Sequence, residues 1–251
     1  MKVIAVTNQK GGVGKTTITF NLCKELARNG YKTLAVDNDP QGNLSSAFLE
    51  EPTELPECAH VIQIYRGKEK AQPLQIEENL SLLGSNILLS RVSDEGFDVI
   101  FQLKEGLEEI AEHFDFIVID CLPSFGHLHL SALNVADYIL IPTELSQYGL
   151  MALKDLFEVT AKTKKRLNPN LQILGVIINL VDGKKLVIEK ELEEVLRENY
   201  GELLFDSKIT RGVKFKESVA LCQSIHEYAP KSKQNQQFND FFKEFLKRLK
   251  L

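Results

Sequence analysis

The 251-residue chain holds only four cysteines, Cys23, Cys58, Cys121 and Cys222, with no C-x-x-C pair among them. That scarcity argues against a zinc site or a disulfide framework and fits thiols kept reduced in a cytoplasm. No apolar run approaches the roughly 20 residues a membrane span needs. The opening "MKVIAVTNQ" also lacks the long apolar core of a secretory signal, so a cytoplasmic location is the expectation. Internal repeats, low-complexity tracts and linkers are missing too, and a single domain over 1–251 is expected. Nor is there an excess of positive charge: the net charge is −5, which does not by itself suggest a nucleic-acid binder. The charge is uneven, however. Residues 206–251 carry ten Lys/Arg against five Asp/Glu, a balance of +5, which leaves −10 for the remainder. Such asymmetry reads either as a solvated C-terminal surface or as a basic face aimed at a polyanion.

What is present is a regular alternation. "KVIAVT" (2–7), "KTLAVD" (32–37), "HFDFIVID" (113–120), "ADYILIPT" (136–143) and "LQILGVIIN" (171–179) read as buried strands, with "NLSLLGS" (79–85) a further candidate. Helical periodicity covers 16–30, 146–167 and 184–199. Near-continuous apolar strands separated by helices specify an α/β fold, a doubly wound and mostly parallel sheet with helices on both faces. Right-handed crossovers bring the strand C-termini to one edge, where ligands of such sheets bind. Three polar strand ends gather there: the Gly-rich loop after 2–7, Asp37-Asn38-Asp39, and Asp120. The segment 50–78, with Pro52, Pro56 and Pro73, is the least regular and is expected to be a surface excursion.

"NQKGGVGKTT" (8–17) comes within one residue of the phosphate-loop pattern G-x-x-x-x-G-K-[ST]; Gln9 stands where the first glycine belongs. The stretch follows a strand and opens a helix, the context the motif requires. Gly11, Gly12 and Gly14, with Val13 among them, let backbone N–H groups approach phosphate, and the helix N-terminus adds its partial positive charge. Lys15 can reach β- and γ-phosphates, Thr16 can ligate Mg²⁺, and Thr17 can donate to the α-phosphate. Lys10 beside the gap reads two ways, as a solvated lysine or as a second charge for polyphosphate. Asp120 after "FIVI" suits a magnesium-holding carboxylate or a helix N-cap. Asp37 and Asp39 are two apart at a strand end, so one can face the sheet interior while the other faces the crevice.

"KGGVGKTT" with the upstream Lys10, "VDNDPQGN" (36–43) and "FIVIDCLPS" (116–124) together resemble the ParA family of partition ATPases, within the deviant Walker group of P-loop NTPases that includes the MinD proteins. "LLGSNILLS" (82–90), "ADYILIPTE" (136–144) and "ITRGVKFKE" (209–217) extend the likeness nearly end to end. The resemblance implies Mg²⁺-dependent conversion of ATP to ADP and phosphate in a homodimer that sandwiches ATP. In it Lys10 crosses to the partner's nucleotide, Asp39 positions the attacking water, and Asp37 supports the metal held by Thr16 and Asp120. Without a resident arginine finger, hydrolysis is expected to be slow. Asn179 recognises the adenine edge by this likeness, or is an ordinary strand-end turn residue. Two departures stand out: Asn38 replaces an apolar residue and Leu122 a proline, the latter in the segment that would sense the γ-phosphate.

Proteins of this family bind DNA without sequence preference as ATP dimers, on the nucleoid, and answer to a cargo-bound ParB-like adaptor. Candidate phosphate contacts are Lys208, Arg211, Lys214 and Lys216, with Lys184 and Lys185; Arg211 and Lys214 would share a face if helical. No aromatic interleaving is present, which suits duplex backbone over single strands. The C-terminal "FNDFFKEFLKRLKL" puts Phe238, Phe241, Phe242, Phe245, Leu246 and Leu249 on one helical stripe. That stripe packs on the core, or it makes the chain a MinD-like membrane-associated spatial regulator. Asp240 and Glu244 on the polar face, and the lack of a spacer, favour packing, so membrane binding is not expected. An iron-protein type of electron carrier would need cluster-ligand cysteines that Cys121 has no companion to supply. A scaffold without catalysis is at odds with Lys10, Lys15, Thr16, Asp39 and Asp120 together.

Overall fold

The structure, a computed structural model, describes residues 1–51, 54–67, 70–182 and 187–251. Its strands are β1 (Lys2–Val6), β2 (Thr33–Asn38), β3 (Leu74–Glu77), β4 (Leu80–Leu83), β5 (Phe116–Cys121), β6 (Tyr138–Thr143), β7 (Gln172–Val181) and β8 (Leu204–Thr210). They form one sheet in the order β3-β4-β2-β5-β1-β6-β7-β8, parallel throughout except for β3, which folds back antiparallel on β4. The doubly wound α/β sheet expected from the sequence is therefore present, with one edge hairpin added.

Side-chain alternation divides the molecule into two cores. Val3 and Ala5 of β1, with Ile117 and Ile119 of β5, enter one core beneath α3 (Ile62–Arg66), α4 (Val99–Glu108), α5 (His127–Val135), α6 (Gln147–Arg166) and α7 (Val187–Tyr200). Ile4, Val6, Phe116 and Val118 enter the other, beneath α1 (Lys15–Arg28), α2 (Asn43–Phe48), α8 (Val213–Ala220), α9 (Ile225–Tyr228) and α10 (Lys233–Arg248). Strands covered on both faces need apolar residues at every position, which is why they read as unbroken runs. α1 ends where Gly30, at φ +87°, turns left-handed and donates to Ala27 O at 2.9 Å.

Two expectations are corrected. The segment 50–78 is not a surface excursion: Val61, Ile62, Ile64 and Tyr65 are buried, and α3 packs on α4. Its helix has five residues, too few to show a period of 3.6. Arg211 lies before α8 rather than in it, so it shares no helical face with Lys214. The C-terminal stripe behaves as favoured above. Phe238, Phe241, Phe242, Phe245 and Leu249 are all buried in the second core, and no helix among the described residues is long and apolar enough to cross a membrane.

Candidate nucleotide site

The loop between β1 and α1 is held from both sides. Asn8 Nδ2 donates to Pro142 O at 2.9 Å while its Oδ1 accepts from Lys10 N at 2.9 Å, fixing the stem. Gly12 and Gly14 take φ of +78° and +90°, conformations open to glycine and costly for other residues. Val13 is fully buried, and Asn179 Nδ2 donates to its carbonyl at 2.8 Å. A Cβ on Gly14 would come within 2.3 Å of that amide, so the glycine is required by contact as well as by backbone angle. Asn179 thus braces the loop, a job its sequence position did not suggest. It also borders a cavity of about 500 Å³ together with Gly12, Gly14, Thr17, Arg211 and Lys216. The size suits a small-molecule site, and the loop glycines open into it.

Lys15, the first residue of α1, is buried, and its Nζ donates across the loop to Lys10 O at 3.2 Å. Burial lowers its pKa, and Asp120, Cys121 and Asp39 pull it back up. Thr16 Oγ1 donates to Asp120 Oδ2 at 2.7 Å, and Thr19 Oγ1 lies 3.4 Å from the other oxygen. Asp120 and Asp37 are directly paired across β5 and β2. Burial first, and then the neighbouring Asp37, push the Asp120 carboxyl up to about 8. Asp37 is pushed up to about 6, chiefly by burial, although Ser45 N and Oγ donate to its Oδ2 at 2.8 and 2.7 Å. Two buried carboxylates side by side, with a hydroxyl aimed at one of them, form an all-oxygen donor set that fits a hard divalent cation such as Mg²⁺. Asp39 lies just outside, at the head of the turn where its Oδ1 accepts from Gln41 N at 2.9 Å.

Lys10 points elsewhere. Its Nζ is paired with Glu144, donates to Ser146 Oγ at 3.0 Å, and lies 5.7 Å from the centroid of the Tyr148 ring. Gln9, in the place of the missing glycine, donates to Asp155 Oδ2 at 2.8 Å, so Gln9 docks on α6 itself and Lys10 on the segment that leads into it. Asn38, the other unusual residue, is buried with its amide on Leu128 O at 2.8 Å and its carbonyl 2.8 Å from the Tyr65 hydroxyl. The polar substitution is thus satisfied by α3 and α5.

Of the basic candidates, Lys208 is paired with Glu193, and Arg211 Nε lies 3.2 Å from Asp182 Oδ1. Lys214 and Lys216 are exposed and have no ion-pair partner among the described residues. Lys184 and Lys185 lie outside the described residues. Sequence reasoning missed Glu144, Ser146 and Ser45, and it missed His129 of α5, whose Nε2 lies 2.9 Å from Thr7 Oγ1. Glu144 closes the family-like stretch 136–144, although no role attaches to it there; the other three lie in none of the quoted stretches.

A glycine-bent loop at the C-terminal edge of a doubly wound sheet, with Lys15, Thr16 and Asp120 converging, defines a phosphate-loop nucleotide-binding protein. A family profile described as an AAA domain matches residues 1–173. The sporulation initiation inhibitor protein Soj of Bacillus subtilis is 34% identical over 251 residues, spanning 97% of each chain. A plasmid partition protein of Borrelia burgdorferi, solved bound to AMPPNP, superposes with a TM-score of 0.84 at 26% identity, covering 98% of this chain and 99% of that one. Apo McdA of Cyanothece shares the fold, with a TM-score of 0.87 at 24% identity and 98% and 99% coverage. The chain belongs to the ParA/Soj-type family of partition ATPases.

Proposed function

We propose that this chain is one ATPase domain over 1–251 and a Mg²⁺-dependent switch that dimerises around ATP. The dimer binds duplex DNA without sequence preference on the nucleoid, and it partitions or positions a chromosome, plasmid or other cargo. Hydrolysis to ADP and phosphate is slow and is stimulated by a cargo-bound, ParB-like adaptor. The observation that carries the reading is the convergence of Lys15 and the Thr16–Asp120 pair on one bent loop beside an open cavity, with Asp39 near enough to act on the Lys15 charge. In this mechanism the loop amides from Gly11 to Thr17 and the Lys15 ammonium hold the phosphates. Thr16 and Asp120 would hold the metal, with Asp37 behind them, and Mg²⁺ would neutralise the charge of the phosphates. Asp39 orients water, and Asn179, on the wall of the cavity, is the proposed adenine contact. Lys10 serves the partner's nucleotide.

DNA contact falls to Lys214 and Lys216, which are exposed and unpaired among the described residues; Arg211 joins them in the proposed basic face, and Lys184 and Lys185 are candidates from the sequence alone. Because α10 buries its apolar stripe, the MinD-like membrane reading loses the surface it needs. The test is retention of the chain on non-specific duplex DNA with ATP or ADP across a salt series. Retention with ATP alone, falling steeply with salt, is expected; each phosphate contact removed should reduce the log–log slope by about 1. No retention in either nucleotide state would remove DNA from the proposal.

A further inference from the structure

His129 belongs to neither the phosphate loop nor the carboxylate cluster, yet it touches the stem of one and follows the strand that carries the other. It sits in the first turn of α5, 1% exposed. Its Nε2 is 2.9 Å from Thr7 Oγ1. Thr7 is the residue between β1 and Asn8, itself fully buried and tied to β6 through Leu140 O at 3.0 Å. On its other side the imidazole packs against Phe125, with ring centroids 5.3 Å apart. Phe125 is a half-exposed residue of the 122–126 segment that joins Asp120 and Cys121 to α5. The ring therefore lies between a partly exposed segment and a stem that is pinned.

A histidine placed only for packing would have both nitrogens satisfied. Here Nδ1 is buried with no hydrogen-bond partner among the described residues, as are the Nδ1 atoms of His127 and His226, but only His129 bonds the loop stem through its other nitrogen. Leaving such a group unpaired costs about 1–3 kcal/mol, a cost that an apolar residue would avoid. Unsatisfied buried groups of this kind call for a reason beyond packing. Proton transfer is a poor candidate for that reason: burial, and then Lys15, hold the imidazole pKa down to about 4, so the ring is neutral in ordinary buffers. What remains is mechanical linkage through one directional hydrogen bond and one ring contact.

We infer that His129 is a positioning residue that transmits displacement of the 122–126 segment, through Phe125 and Thr7, to the stem of the phosphate loop, and so sets the rate of hydrolysis rather than the affinity for ATP. The inference rests on the ATPase reading above. It assigns the linkage to the Thr7–His129 bond, which can be cut from either end. Thr7→Val removes the hydroxyl with little change in shape, and His129→Phe keeps a ring against Phe125 but removes the nitrogens. His129→Gln retains a polar atom that can reach Thr7.

The experiment measures kcat, ATP dissociation constant and thermal midpoint, with non-specific DNA present, for wild type, T7V, H129F, T7V/H129F and H129Q. Each single cut should change kcat about five- to tenfold, the worth of one neutral hydrogen bond, while ATP affinity stays within about threefold. The double variant should be no worse than either single one, because both remove the same bond. H129Q should recover most of kcat. If H129F does not fold, T7V and H129Q carry the comparison. Unchanged kcat in T7V, multiplying effects in the double variant, or parallel loss of kcat, affinity and thermal midpoint would each overturn the linkage. A wild type that turns over no ATP would overturn the ATPase reading, and this inference with it. A wild type that hydrolyses ATP, with variants that do so equally well, would overturn the linkage alone.

Discussion

At the scale of single residues, the site is defined by groups held in states they would not choose in water. The Lys15 ammonium is buried with one carbonyl partner, and its charge is favoured mainly by the carboxylates of Asp120 and Asp39 and by Cys121. A polyphosphate would supply the acceptors it lacks. Lys15→Ala should therefore weaken ATP binding on the order of 100-fold or more, since charge-assisted hydrogen bonds contribute about 1.5–3 kcal/mol each. Titration calorimetry reads this directly, and unchanged affinity would remove the phosphate-loop assignment. His129 carries a different signature. Its pKa falls from 6.5 to about 4 on folding, so between those values the unfolded chain binds a proton that the native chain refuses. The neutral ring's contribution to stability is complete above pH 6.5 and is lost as the pH falls through about 4. One pKa unit corresponds to 1.36 kcal/mol, so the wild-type unfolding free energy should drop by roughly 3 kcal/mol relative to H129Q from pH 7 to pH 4. Urea melts of the two proteins at both pH values check the sign. A difference that does not change with pH would mean that the ring titrates alike in both states.

At the scale of elements, α10 shows how the chain's C-terminal region is committed to the core. Arg248, in its last turn, donates to Leu174 O and Leu203 O at 3.0 Å and also to Leu204 O. Its guanidinium carbon sits 4.0 Å from the centroid of the Phe205 ring. Space for it is made by a bulge in β7 at Gly175, where a Cβ would meet the guanidinium at 2.4 Å. Arg248→Ala should cost about 2–4 kcal/mol, because it strands buried carbonyls and removes a stacked cation. Arg248→Lys should recover little, lacking the planar fork; thermal unfolding tests both. None of this clasp was visible in the sequence, since the bulge glycine and the arginine are far apart along the chain. The strands flanking the site were legible because strands buried on both faces are continuously apolar. β8 was not, because only Leu204, Phe205 and Ile209 of its seven residues are buried. The same division runs through the site. Lys10, Lys15, Thr16, Asp39 and Asp120 lie in stretches that resemble a known family, whereas His129 and Ser146 lie in none of them, and Glu144, though it closes one, matters through contacts that only the folded chain makes.

At the scale of the whole molecule, the proposed ATP dimer requires Lys10 to change partners. Its ammonium is occupied within its own subunit by Glu144, Ser146 and the face of Tyr148. The Glu144 carboxyl is held below its usual range mainly by the hydrogen bond from Lys10. Both side chains are about a quarter exposed, and pairs of that kind contribute about 0–1 kcal/mol. A triphosphate offered by a partner is a stronger acceptor, so the internal pair is a resting place that dimerisation can empty. Two expectations follow from that ranking. Lys10→Ala should leave ATP binding by the monomer within about threefold, because Lys15 still holds the phosphates, while weakening the ATP dimer by tenfold or more through loss of a charge-assisted contact. Glu144→Gln should strengthen the dimer by no more than about fivefold, the worth of the pair it releases. Sedimentation velocity with ATP, in an Asp39→Ala background that blocks turnover, separates these outcomes. A Lys10→Ala protein that dimerises like its parent would leave Lys10 as a brace between the phosphate loop and the segment leading into α6. A Glu144→Gln protein that dimerises less well would place Glu144 itself in the contact between subunits.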